Sequence, residues 1–420
     1  MKFLLLNQTF HPDVVATAQY LTVVARALVE RGHHVSVITS RRAYDHPDII
    51  FPERESWNGI DIQRVRGTRF GKKSRLRRAA DFATFILACS WQLLRAPRPD
   101  VVVALTSPPL ISVIAACYAA CRRCRFVYWV MDLNPDEAIA AGWLQKSSMT
   151  ARMLNALSEF SLHRADAVIA LDRFMERRII DKGISPKKVF VIPPWSHDET
   201  VRFDLAGREG FRREHGLAGK FVVMYSGNHS PCHPLDSLLS AVEQLRGDAT
   251  VHFCFVGGGS GFAKVQQFAA ERNSANVLCL PYQPLERLAA SLSAADLHVV
   301  VMGENFVGTI HPCKIYNVMR VAPAVLYIGP QTSHVTDIFR DSASPSFVAT
   351  QNGEVDAIAR AIRQLRPAPL QPSEFISLAG PFSQTRLLPR LIAIFESWGN
   401  ASAEERDGIS LSPPRGEGRE

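Results

Sequence analysis

No segment of this chain is long and apolar enough to read as a membrane span, and none has the order of a secretory signal. The opening run Phe3-Leu4-Leu5-Leu6 is too short for a signal-peptide core. The most apolar stretch, Val101 to Cys121, carries Pro108-Pro109 in its middle. It therefore reads as a strand, a turn and a buried helix. The chain has no GxxxxGK[ST], no GxSxG and no HExxH. These absences count against P-loop nucleotide hydrolysis, the serine-hydrolase elbow and helix-borne zinc proteolysis. The first strand runs into Asn7-Gln8-Thr9-Phe10-His11-Pro12 instead of GxGxxG, so a nicotinamide-dependent dehydrogenase has little support. Of the eight cysteines only Cys121 and Cys124 have CxxC spacing, with no second pair or histidine cluster to complete a zinc site. The expectation is reduced thiols and no metal. No nucleic-acid-binding signature accompanies the basic residues, so no nucleic-acid partner is expected.

The composition that remains is globular, with 47% hydrophobic and 21% charged residues. At 420 residues the chain exceeds one typical core, which predicts two domains. A net charge of +8 favours anionic partners without choosing among them. Short apolar runs alternate with helix-length segments. Lys2–Leu6, Val35–Thr39, Asp61–Val65, Val101–Leu105, Phe126–Val130, Ala167–Leu171 and Val189–Ile192 read as strands. The rhythm breaks at Pro193-Pro194-Trp195 and restarts with Phe221–Tyr225, Val251–Val256, Val277–Leu280, Leu297–Val301 and Ala324–Ile328. Strand–helix alternation means parallel sheets with helices on both faces. The fold class is α/β, with two Rossmann-like doubly wound domains over residues 1–200 and 201–380. A helix in 381–400 is expected to pack back on the first domain, and 401–420 to be a disordered polar tail. Ligands should lie in the interdomain cleft, beyond the carboxyl ends of the strands.

Chemistry-bearing residues collect at those ends. Gly227 and Asn228 follow one strand, and Gly257, Gly258 and Gly259 follow another; glycine there lets backbone approach a phosphate or nucleotide closely. In Gly308-Thr309-Ile310-His311-Pro312-Cys313-Lys314, Pro312 suits a first helical position with His311 as cap. Lys314 then stands in the first turn, where a cation opposes the helix dipole unless an anion is bound. Asp132 ends the strand Phe126–Val130, placed to act as a base or to orient a hydroxyl. Asp136 and Glu137 read as first-turn residues of a capped helix. The basic run containing Lys72, Lys73, Arg75, Arg77 and Arg78 opens an apolar helix with Phe82, Phe85 and Trp91. It suits an anionic membrane surface, or equally a core helix with a solvated basic face.

The segments Ala27 to Thr39, Arg164 to Leu171, Val189 to Trp195, Tyr225 to Asn228, Val256 to Gly259 and Ala294-Ala295-Asp296, in this order, resemble the retaining GT-B glycosyltransferases of family 4, within them the colanic-acid and O-antigen type. The likeness runs from Met1 to about Trp398. It implies a hexosyl or N-acetylhexosaminyl transferase that takes a nucleotide-diphosphate sugar in the second domain and a lipid-linked or saccharide acceptor in the first. It also implies retention at the anomeric carbon, no metal and no separate cofactor. The lack of an Asp-x-Asp motif agrees with this. By resemblance, Gly227, Asn228 and the Gly308–Lys314 segment with Ile310 hold the diphosphate and sugar, Tyr282 and Gln283 lie near the base, and Asp132 stands where many relatives carry a histidine. Two glutamates with seven residues between them are usual around the Lys314 helix; Thr309 and Asn317 occupy those places here. Pro231-Cys232-His233 stands where relatives have an Arg/Lys pair, with His233 a partial substitute. A cytoplasmic protein, peripheral on the inner face of the plasma membrane, is expected. The alternatives are a GT-B-fold sugar-nucleotide epimerase and a non-catalytic nucleotide-sugar-binding homologue.

Overall fold

The computed structural model describes residues 1–44, 48–68, 70, 75–196, 200–272, 274–340, 344–366 and 373–400. Lys72, Lys73, the prolines Pro367, Pro369 and Pro372, and the 401–420 tail lie outside the described residues, as do the side chains of Arg75 and Arg78. The strands are β1 (Lys2–Leu6), β2 (His34–Ser40), β3 (Arg54–Trp57), β4 (Ile60–Val65), β5 (Val101–Ala104), β6 (Arg125–Trp129), β7 (Ala167–Ala170), β8 (Val189–Val191), β9 (Phe221–Asn228), β10 (Val251–Gly258), β11 (Val277–Leu280), β12 (Leu297–Val301), β13 (Val325–Ile328) and β14 (Phe347–Thr350). They form two sheets, ordered β3-β4-β2-β1-β5-β6-β7-β8 and β11-β10-β9-β12-β13-β14.

All pairings are parallel except β3 with β4. The physical reason is visible in β5 and β7, four residues each and buried throughout, because helices cover both faces of the sheet. Each sheet reverses its strand order once: between β1 and β5 in the first, and between β9 and β12 in the second. Those switch points open the crevices where ligands of such sheets bind.

Two strands have no counterpart in the sequence reading. Arg54–Trp57 is a short, polar, antiparallel edge, and Phe347–Thr350 is an edge strand with an exposed middle; neither carries a buried apolar run. The glycines also behave differently from the turns expected of them. β9 and β10 continue in register through Gly227↔Gly257 and Asn228↔Gly258. A Cβ at Gly257 would lie 2.1 Å from the Gly227 carbonyl oxygen, so only glycine allows the two strands to run on side by side.

The chain crosses between the sheets twice, and the crossings touch. Ser196 N donates to Phe382 O at 3.0 Å, and Ser196 bridges Ser383. After the second crossing, helix Gln384–Asn400 returns to the first sheet, burying Leu387, Leu391, Ile392, Ile394 and Phe395 in its core. Glu396 fastens it by accepting from Arg31 and pairing with His33, each at 2.8 Å. Trp195 is fully buried, stacked near Trp129 and edge-on to Tyr20. The Pro193-Pro194-Trp195 segment is thus anchored in the first core, and the two crossings meet just beyond it.

Candidate active site

On the second domain the site is built around one lysine. Lys314 begins the helix Lys314–Val321, whose buried face (Ile315, Tyr316, Val318, Met319) fixes its position. The Lys314 Nζ is buried, meets no hydrogen-bond acceptor, and sits 3.6 Å from the centre of the Tyr225 ring. It also lies against Gly227, where a Cβ would be 3.1 Å away. Burial drops its pKa to about 7, since the charged form loses its water and gains only the ring face in return. An ammonium held this way at a switch point is suited to pair with an anion. Gly258 faces Tyr282, whose exposed ring would contact any Cβ there at 2.9 Å; Gln283 turns back to donate to Pro281 O at 3.0 Å.

His233 was expected to stand in for a cation, and this is corrected by its surroundings. Enclosure and the neighbouring Lys314 hold its pKa down at about 3, and its Nδ1 lies 2.8 Å from Val301 O. A neutral imidazole supplies no positive charge to a diphosphate. Its neighbour His229 is likewise held near 4 by burial and Lys314. The cleft therefore gathers its charge on Lys314.

On the first domain, Asp132 follows β6 and its amide nitrogen lies 3.3 Å from Thr106 Oγ1 after β5. Burial, and then the charge of Glu137, raises the Asp132 carboxyl well above the usual range. Glu137, read from sequence as only a first-turn residue, also reaches across the cleft: Cys232 Sγ lies 3.7 Å from its Oε1. Spacing alone does not reveal this, because the partner is 95 residues away.

The segment expected to cap the lysine helix joins the domains instead. Cys313, not His311, is the N-cap, and Lys314 is the first helical residue. His311 is drawn away by Asp172, with Nδ1 2.7 Å from Asp172 Oδ2 and Nε2 2.7 Å from the Tyr316 hydroxyl. Asp172 itself caps the helix Arg173–Asp181 through the Phe174 and Met175 amides. Burial works to raise its carboxyl, but the His311 bond and the Met175 amide outweigh this and hold it near 2. His334 stacks on His311 at 3.8 Å. Asp172, His311 and His334 are the one group among the described residues close enough to share a metal ion, and the Asp172–His311 hydrogen bond with His334 stacked on it makes an interdomain clasp. Leu133 N donates to Thr309 O at 2.8 Å and Arg178 to Val307 O at 2.7 Å. Thr309 is buried and donates to Phe306 O, Ile310 packs in the core beneath, and Asn317 lies half-buried on the lysine helix. Asp172 was legible in principle, being an acid just past a strand end like Asp132.

Gly308 is where the clasp closes. Its φ is 72°, and a Cβ would lie 2.7 Å from the Phe174 carbonyl of the other domain. Gly308→Ala should cost roughly 1–3 kcal/mol and lower turnover, because strain and a backbone clash act together. Gly353 has φ 92° with open space around it, so Gly353→Ala carries the strain alone. Thermal melts of both variants, with equal losses, would remove the clasp from the explanation.

Two facing parallel sheets with their switch points at a shared cleft give the GT-B fold. The comparisons narrow this. Residues 16–195 match the glycosyl transferase 4-like domain. The chain is 25% identical over 338 residues to the Escherichia coli (strain K12) protein WcaI, named as a colanic acid biosynthesis glycosyl transferase, covering 76% of this chain and 81% of that one. It is 26% identical over 309 residues to Pseudomonas aeruginosa WbjE, named as a glycosyltransferase, covering 72% and 75%. Anabaena HepE, solved with UDP-glucose, superposes with a TM-score of 0.68 at 16% identity over 94% of this chain and 100% of that one. The protein is a glycosyltransferase of GT-B fold with a family 4-like first domain.

Proposed function

We propose that the protein transfers a sugar from a nucleoside-diphosphate sugar to a lipid-linked saccharide in surface-polysaccharide biosynthesis, with retention and without a metal. The observation that carries this is the buried, unpartnered Lys314 ammonium at the end of β9. A diphosphate leaving group is the anion such a site stabilises as charge develops on it. The name of WcaI supports a polysaccharide context, that of WbjE supports glycosyl transfer, and HepE supports a nucleotide-sugar donor. In the proposed step the acceptor oxygen bonds to the anomeric carbon on the face the diphosphate leaves. The carbon–oxygen bond to phosphate breaks with its electron pair going to the diphosphate, and Asp132 takes the hydroxyl proton. No protein nucleophile is needed. The test is release of nucleoside diphosphate from a panel of nucleotide sugars with and without membrane-lipid extract. Release that never depends on the extract would overturn the transfer reading.

Membrane docking belongs to the same proposal. No helix among the described residues is long and apolar enough to cross a membrane. The helix Arg75–Arg95 buries Phe85, Cys89 and Leu93 yet turns Leu87, Trp91 and Leu94 outward, 57–69% exposed. Arg95 lies over the Trp91 ring at 4.2 Å. An apolar outer stripe beside basic residues favours insertion at an anionic interface over a merely solvated face. In vesicle sedimentation, binding to anionic lipids should fall with salt and drop sharply in Leu87→Gln/Trp91→Gln/Leu94→Gln. Indifference of the wild type to anionic vesicles at low salt would point to a soluble acceptor.

A further inference from the structure

A cavity with a mostly basic charged lining adjoins the Gly308 segment through Thr309. It is an open cleft of about 740 Å³ between helices Asp136–Ala140, Met149–Arg164 and Arg173–Asp181 of the first domain and residues 305 and 309 of the second. Its charged lining is Lys146, Arg152, Arg178 and Lys182 against Asp136 and Glu159. Asp136 is taken up by Lys182 at 2.9 Å. Arg178 spends its Nε on the Val307 carbonyl, and among the described residues neither it nor Lys146 nor Arg152 pairs with a carboxylate. Three cations thus face one cavity with Glu159 the only uncommitted acid on its wall. Such a lining concentrates positive potential and selects anions.

The rim is apolar. On the helix Met149–Arg164, Arg152, Asn155, Ala156 and Glu159 face the cavity. Met149, Met153 and Phe160 form the adjoining stripe, within about 40° of one another at 3.6 residues per turn. They are 77%, 55% and 37% exposed, and Trp143 nearby is 39% exposed. Methionine side chains are flexible and polarizable, suited to an alkyl chain of no fixed shape. A basic cleft continuous with an exposed methionine-rich stripe matches an amphiphile with an anionic head.

We propose that this cleft binds the phosphate of a phosphorylated lipid, the carrier of the acceptor, with the chain lying along Trp143, Met149, Met153 and Phe160. The placement suits acceptor delivery. Thr309 lines the cleft, and its carbonyl accepts from Leu133, the residue after Asp132. The inference rests on the lipid-linked reading above, but the basic residues it invokes are not those assigned to the donor.

The probe is dodecyl phosphate below its micelle concentration, titrated calorimetrically into the full chain, with inorganic phosphate and dodecanol as comparisons. Dodecyl phosphate should bind well more tightly than either. Lys146→Gln/Arg152→Gln, both exposed positions, should weaken it at least about ten-fold, the scale of charged hydrogen bonds. Met149→Gln/Met153→Gln should weaken it several-fold, with nucleoside-diphosphate affinity unchanged in both variants. Unchanged dodecyl phosphate affinity in Lys146→Gln/Arg152→Gln overturns the site. Equal affinity for inorganic phosphate overturns the lipid. Efficient transfer to a phosphate-free soluble saccharide would instead sink the lipid-linked reading, and leaves the titration result as it stands.

Discussion

Lys314→Met is expected to abolish most nucleotide binding and, at the same time, to stabilise the ligand-free protein. The two effects share one cause. In the ligand-free fold the ammonium is buried against Tyr225 with no acceptor, and its pKa falls from 10.5 to about 7. The unfolded chain keeps that proton up to the ordinary lysine range. Between about pH 7 and pH 10 the unfolded state therefore binds more protons, and wild-type stability should rise with pH across that window. At about 1.36 kcal/mol per pKa unit, the buried site costs on the order of 4–5 kcal/mol near neutrality, which methionine removes together with the pH dependence. A bound diphosphate reverses the balance by restoring a charge partner. Titration of UDP, ADP and GDP near pH 8 should show uptake of about one proton, read from buffers of different ionisation enthalpy. Lys314→Met should show none, with affinity lower by about 10²-fold. Binding that is unchanged in the variant, or proton-silent in the wild type, would take the diphosphate away from Lys314.

Asp132→Asn should lower turnover by roughly 10²-fold or more while leaving nucleotide affinity intact, the scale of general acid–base contributions. The sign of the pH effect follows from the raised pKa. An acid that must be ionised to accept a proton works less well below its pKa, so kcat/KM should climb with pH as Asp132 ionises. The ligand-free enzyme loses the Lys314 charge above about pH 7, so the same profile should bend downward on its alkaline side. The result is a narrow bell, whose acid limb disappears in Asp132→Asn. Glu137→Gln removes the charge that adds to the burial of Asp132 and should move the acid limb to lower pH. A wild-type profile flat on the acid side, or near-normal turnover in Asp132→Asn, would return this aspartate to a structural role.

Much of the architecture could be read before any coordinates. The alternation of apolar runs with amphipathic segments located twelve of the fourteen strands, because a parallel strand buried on both faces must be apolar along its whole length. The two that escaped are edge strands, whose exposed faces carry no such run. The break at Pro193-Pro194-Trp195 marked the division between sheets, but not that Trp195 is locked in the first core or that Ser196 meets Phe382 and Ser383 of the returning chain.

For the candidate site, local chemistry singled out Asp132, the strand-end glycines and Lys314, since each is unusual in its place: an acid past a strand end, glycine after an apolar run, a cation at a helix start. What the sequence could not carry is every property that depends on a distant partner. His311 looked like a helix cap because its neighbours are a turn and a proline; Asp172, 139 residues earlier, claims it for the interdomain clasp. His233 looked like a cation until enclosure and Lys314 removed its charge. Glu137 is the helix-start residue it looked like, but only the fold sets Cys232 beside it. Periodicity and turn chemistry are local and act through the backbone, so they belong to the sequence. Burial, charge state and interdomain contact arise only when segments far apart in the chain share one volume, so the tertiary structure decided them.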